Sequence, residues 1–232
     1  MNTISSVKTN TKPQTQTQTF TQLLASVPPW ARYSAETWVS STNVLPDLTG
    51  NSRNATTVSL TKTGTTGAGA IVQIQNLKGF TTSSIQFPTG SLPTTYTICS
   101  LTCYQAANRN RIITADNGAL FGHYAGNRGV VSNNGWQTSS TNTTTVGNWL
   151  NMVYTNSGNI SVPNNILVNS TGVATANTGT GNARLSINGI GSTEQSDFRF
   201  SQLIIWNQAL TLSQMNVLAT ALNTYLTTGV LQ

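Results

Sequence analysis

Side chains able to do acid–base chemistry are few in this chain. Five carboxylates (Glu36, Asp47, Asp116, Glu194 and Asp197) and one histidine, His123, are all that 232 residues provide. Retaining glycoside hydrolysis needs two carboxyl groups about 5 Å apart. In "TEQSD", Glu194 and Asp197 stand three apart, which puts them on opposite faces of a strand. His123, in "LFGHYAG", has no aspartate near it in sequence and no G-x-S-x-G partner. The Gly-rich "TGTTGAGA" over 63–70 lacks the Gly-Lys-Ser/Thr ending and the helix of a phosphate loop. No catalytic residue is assigned, and the chain is read as a non-enzyme.

Metal and thiol chemistry are equally poorly supplied. Cys99 and Cys103 form C-x3-C in "YTICSLTCYQ". On a strand they share one face roughly 13 Å apart, whereas a disulfide needs Cα atoms within about 7 Å. Both are read as reduced, buried small residues. Structural zinc takes four ligands, and one histidine beside two cysteines does not supply them, so no cofactor is expected there. Calcium takes several oxygen ligands. Its one candidate place is Asp116 and Asn117 in "ADNG", four residues that also read simply as a turn.

Binding chemistry has a better candidate. Sugars stack on aromatic faces while Asn, Asp and Arg bond their hydroxyls. Trp136 follows a turn in "SNNGWQT" and is the tryptophan best placed to face solvent. Asn133, Asn134, His123, Tyr124 and Arg128 complete the candidate glycan-binding set. Trp38, Trp149 and Trp206 lie in strand-like runs and are assigned to the core.

The elements that must position these residues read as all-β. Charged residues make up 7% of the chain, against a usual share of about 25%. Forty Thr and 26 Asn take their place; Thr favours strands, and Asn with Gly favours turns. Short apolar runs at 71–77, 84–87, 95–104, 110–115, 118–124, 128–132, 149–155, 165–169, 183–188 and 198–206 alternate with turn clusters such as "SNNG" and "TNSGN". Many short strands at this spacing predict a two-sheet antiparallel sandwich or jelly roll. In "TYTICSLTCY", Tyr96, Ile98, Ser100, Thr102 and Tyr104 share one face and Thr97, Cys99, Leu101 and Cys103 the other; both look buried. Near the end, Met215, Leu218, Leu222 and Tyr225 recur at helical steps, with Ser213 or Thr211 to cap the start and Gly229 after the last turn. One short C-terminal helix follows from that.

Two domain segments are expected: an extended polar arm over 1–27 and the sandwich over 28–232. "KPQTQTQTFTQLL" alternates Thr and Gln without an apolar face, so it cannot drive its own burial. Thr15, Thr17 and Thr19 are expected to pair as a strand, with Phe20, Leu23 and Leu24 anchoring it to the domain or to a neighbouring subunit. The N-terminal residues lack the apolar stretch of an export signal, and no run is long enough for a membrane span. Four N-x-Ser/Thr sites, at Asn54, Asn142, Asn159 and Asn169, arise readily in so Asn- and Thr-rich a chain. The net charge is +6, but the cations are spread out, with Arg109 and Arg111 the one tight group, so nucleic acid is not expected as a partner.

The order of these features resembles laminin-G-like domains of the concanavalin A-like lectin/glucanase superfamily. "WVSSTNVLPDLTGNSRNATT" is similar to their opening segment, "TTYTICSLTCY" to an inner strand, and "GNWLNMVYTNSGNISVPNNILVNSTG" to a characteristic hairpin. "FRFSQLIIWNQALTLSQMNVLATALNTYL" is similar to the closing strand and helix, so the likeness spans about residues 30–228. It departs at "SDFRF", where a Gly usually precedes the strand, and at "VNSTG", where the hairpin usually reads Asn-Gly. The resemblance implies a jelly roll of two antiparallel sheets that binds glycans or proteins, often with calcium at the rim.

Two functions are expected from these readings. The first is a structural protein of a large assembly, a virion capsid or surface component whose arm docks on other subunits. The alternative is a carbohydrate-binding module or adhesin head at an extracellular or cell surface.

Overall fold

The computed structural model describes residues 18–138, 142–156, 166–168, 171–173, 181–189 and 193–231. Helix α1 spans Phe20–Ser26. The strands that follow are β1 Ala31–Ser34, β2 Val44–Leu45, β3 Ala55–Val58, β4 Thr61–Thr65, β5 Ile74–Gly79 and β6 Ser84–Gln86. Next come β7 Thr97–Tyr104, β8 Ile113–Ala115, β9 Leu120–Tyr124, β10 Asn127–Ser132, β11 Trp136–Thr138 and β12 Leu150–Thr155. The last are β13 Ile166–Val168, β14 Thr171–Val173, β15 Leu185–Ile187 and β16 Phe198–Trp206, before helix α2 Leu212–Thr228.

The described strands form two antiparallel sheets. The first runs β14-β13-β12-β7-β16-β5-β4, with β1 also paired to β16; the second runs β11-β10-β9-β8-β15-β6-β3-β2. Sequence neighbours often sit in different sheets, as expected of a sandwich in which strands cross between layers. Between the sheets lies one core that includes Tyr33, Phe87, Tyr96, Ile98, Phe121, Met152, Tyr154 and Phe200.

Strand β7 shows why two alternating faces are both apolar. All eight of its residues are buried. Ile98 and Tyr104 enter the core between the sheets. Cys99, Leu101 and Cys103 point the other way, into a second core built with α2 from Trp149, Ile204, Met215, Leu218, Leu222 and Tyr225. The helix thus covers the outer face of the first sheet. Both cysteines are free and buried, and burial pushes both thiols well above their ordinary pKa.

Helix α2 has the ends its sequence predicts. Thr211 caps it and forms a reciprocal box with Gln214, and Gly229 closes it at φ 74° in the left-handed region. Trp149 and Trp206 are core residues, as expected; Trp38 is half-buried, and its Nε1 donates to Thr57 Oγ1 at 2.9 Å.

The N-terminal segment departs from expectation. Thr15 and Thr17 lie outside the described residues. From Thr19 onward the chain is a helix rather than an extended strand. Thr19 caps α1 in a second box with Gln22, so the Thr and Gln that read as strand alternation work as helix-start residues. Phe20 and Leu23, three apart, then fall on one helical face and are buried, with Leu24 partly buried beside them. They join the core under α2. The anchor they form is therefore to this chain's own helix.

Candidate functional site

The site is built on four hairpin-linked strands, β8 to β11, at one end of the second sheet. The β8–β9 turn is "ADNG", where Asn117 Oδ1 accepts from Ala119 N at 3.1 Å. Between β9 and β10, Ala125 and Gly126 both take positive φ, 48° and 79°, the geometry of a tight two-residue hairpin turn. Between β10 and β11 the left-handed pair is Asn134 and Gly135. These turns fix which side chains face out. Phe121 and Val131 are cross-strand partners and both enter the core between the sheets. By alternation Tyr124 faces outward, as do Ser132 and its partner Trp136.

On that outer face Trp136 is 50% exposed. Its ring lies against Tyr124, with centroids 5.6 Å apart and planes inclined at 45°. The Arg111 guanidinium lies 5.5 Å from the Tyr124 centroid on a ring face. Arg111 Nη2 pairs with Glu194 Oε2 at 2.6 Å, and the Tyr124 hydroxyl donates to Glu194 Oε1 at 2.9 Å. The hydrogen bond to Glu194 is the main reason that the Tyr124 phenol sits above its ordinary pKa, with burial and the carboxylate charge adding to it and Arg111 opposing. The result is an aromatic platform edged by a charged donor and a charged acceptor.

Arg111 and Glu194 are not among the residues that the sequence singles out for binding. Main-chain pairing brings them together. Arg111 N donates to Glu194 O at 3.1 Å, Asp197 N to Asn108 O at 2.8 Å and Asn188 N to Ile112 O at 3.2 Å. The side chain of Asn188 clamps the segment from inside, bonding Ser196 N and O and Phe80 O. No local pattern announces a pairing between segments so far apart in sequence; the only sign was the basic cluster of Arg109 and Arg111.

The other expected binding residues go elsewhere. His123 is fully buried, its Nδ1 3.4 Å from Thr102 Oγ1 and its ring 4.7 Å from Tyr104. Burial, helped by the charge of Arg128, pulls its pKa down to about 3, so it is a neutral core residue. Asn133 is buried too and donates to the Tyr96 hydroxyl. The expectation that these two meet a ligand is thus corrected: each stands at a position that alternation turns inward. Arg128 Nη1 donates to Asn148 Oδ1 at 3.1 Å, cross-strand from His123 rather than beside Trp136. Asn134 is exposed at the tip of its turn.

Asp116 and Asn117 serve their turn. Asp116 Oδ1 accepts from Arg184 N at 2.9 Å, and Asn117 caps Ala119 as above. Among the described residues no group of three or more His, Cys, Asp or Glu gathers as a metal site. The remaining carboxylates are also engaged. Asp47 holds a turn through Arg32 N, Thr49 N and Thr49 Oγ1, Asp197 accepts from Asn108, and Glu36 accepts from the Tyr225 hydroxyl. No described helix is long and apolar enough to cross a membrane.

No protein-family model and no curated protein matches the sequence. Solved structures do match in fold. A Trypanosoma rangeli sialidase in complex with sialic acid aligns at TM-score 0.56 and 11% identity over 85% of this chain, which spans 33% of that one. Domain 4 of AbnA, a GH43 extracellular arabinanase from Geobacillus stearothermophilus in complex with arabinotriose, aligns at 0.55 and 19% identity, covering 82% of this chain and 97% of that one. The binding domain of Paraclostridial mosquitocidal protein 1 aligns at 0.54 and 14% identity over 82% of this chain and 51% of that one. At these identities the likeness is one of fold.

Proposed function

We propose that this chain is a carbohydrate-binding module that holds its ligand on the outer face of the second sheet. The observation that carries the reading is Trp136, half-exposed and lying on Tyr124 beside the Arg111–Glu194 pair. A half-exposed indole beside polar groups offers an apolar face on which a ligand can stack. A sugar presents a C–H face to such a ring and hydroxyls to a flanking guanidinium and carboxylate, both of which make charge-assisted hydrogen bonds. The same fold in a domain solved with arabinotriose supports an oligosaccharide as the ligand class.

Binding without hydrolysis is part of the reading. All five carboxylates are engaged in turns, caps or bonds to neighbouring side chains, which suits structural roles and leaves no evident acid–base pair. The assembly function gains less support, because Phe20 and Leu23, two of the expected arm-docking residues, pack within the chain.

A glycan array followed by titration calorimetry tests the proposal. The expected result is binding of a defined oligosaccharide set that Trp136→Ala weakens at least about tenfold, or about 1.4 kcal/mol. Absence of binding across the array, or full affinity in the variant, overturns it.

A further inference from the structure

A cavity lies on the other sheet. It has a volume of about 300 Å³ and is lined by Arg32 and Ser34 of β1, Glu36, Gln202 of β16, Tyr225 of α2 and Val230. Ser34 pairs with Gln202 across the strands, and Arg32 with Ile204. Ile204 belongs to the core under α2, so Arg32 and Gln202 both face the helix side.

Two buried polar atoms here lack partners. Gln202 is 2% exposed; its Nε2 donates to Ser34 Oγ at 2.9 Å, but its Oε1 has no hydrogen-bond partner. Arg32 Nε is buried and likewise unpartnered. The Arg32 guanidinium lies 5.5 Å from the centroid of Phe20 on a ring face, and among the described residues no carboxylate stands within ion-pair distance of it. Glu36 is near enough to favour its charge, against the burial that lowers its pKa, but that carboxylate accepts instead from the Tyr225 hydroxyl at 2.8 Å. A guanidinium Nε and an amide oxygen buried without partners are costly unless something else answers them.

We propose that this cavity binds a small hydroxy acid, its carboxylate on the Arg32 guanidinium and a neighbouring hydroxyl donating to Gln202 Oε1. The planar fork of arginine matches a carboxylate, and the amide oxygen asks for the donor that a hydroxyl supplies. Half-exposed Val230 gives the carbon skeleton an apolar wall. Such an acid can arrive free or as a uronic acid unit of a glycan. The site is separate from the Trp136 surface, which lies on the other sheet.

The test is NMR titration of the full chain with glycolate, with D-glucuronate and with uncharged glucose, each to about 10 mM, a range that detects binding worth only a few kcal/mol. Shifts with either acid and none with glucose support the site. Glucuronate alone marks the acid of a glycan, and glycolate alone or both marks a free hydroxy acid. Arg32→Gln should weaken binding at least about tenfold. Gln202→Glu, which places a carboxylate where Oε1 stands, should do the same if loss of the stacking on Phe20 unfolds the first variant. Trp136→Ala should leave these shifts unchanged, so failure here and failure of the glycan surface read out separately. No shift with either acid, equal shifts with glucose, or undiminished binding in a folded variant overturns the proposal.

Discussion

The indole Nε1 of Trp206 donates to the carbonyl oxygen of Val27 at 2.9 Å. This bond joins the last residue of β16 to the residue that ends α1, and it makes the N-terminal helix part of the domain. Trp206, Phe20 and Leu23 share one core, so the helix is held by apolar burial as well as by the bond.

Leu23→Ala therefore acts as a core truncation. With Leu23 fully buried, the substitution should lower unfolding free energy by about 2–5 kcal/mol. Urea denaturation measures it. A loss below about 0.5 kcal/mol, typical of a surface site, would mean that α1 does not dock.

Glu194→Gln tests the edge of the aromatic platform proposed to hold a glycan. The hydrogen bond to Glu194 is the first cause of the raised Tyr124 phenol pKa. Removing the charge should bring that pKa down toward the ordinary value, as read by NMR titration of ring-labelled tyrosine. An unchanged titration would show that Tyr124 and Glu194 are not bonded in solution.

His123 sets a pH dependence. Its pKa falls from 6.5 to about 3 on folding, chiefly through burial. The unfolded chain then binds the extra proton in the window between those values, so stability rises with pH there and is lost as pH drops below about 6.5. The slope from this group approaches about 1.4 kcal/mol per pH unit. His123→Leu should flatten the curve by that amount. The same acid sensitivity in the variant would assign it to the carboxylates instead.

The caps of α2 should each carry about 1 kcal/mol. Thr211→Ala removes the side-chain acceptor for Gln214 N. Gly229→Ala forces a Cβ into φ 74°. Chemical denaturation of the two variants checks both, and no loss in either would mean that the helix end frays.

Local spacing determined a large part of this protein. Alternation in 95–104 announced β7 with two buried faces, steps of three and four announced α2, and Asn-Asn-Gly before Trp136 put that ring at a turn and in solvent. Each of these depends on neighbours within one turn or one pleat, so the residues themselves carry the information. Thr19, Gln22 and Phe20 were equally local, but a capping box and a strand alternation use the same Thr and Gln. Only the apolar surface under α2 decided for the helix.

The candidate site was decided at longer range. Whether His123 and Asn133 turn inward while Tyr124 and Trp136 turn outward follows from cross-strand register, which a one-residue slip would reverse. That Arg111 meets Glu194 follows from two distant segments lying side by side. Residue type and spacing therefore supplied the aromatic half of the site. The charged half, the buried histidine and the cavity at Arg32 exist only because the two sheets and α2 close on one another, and the burial that this creates selects which polar groups are satisfied within the fold.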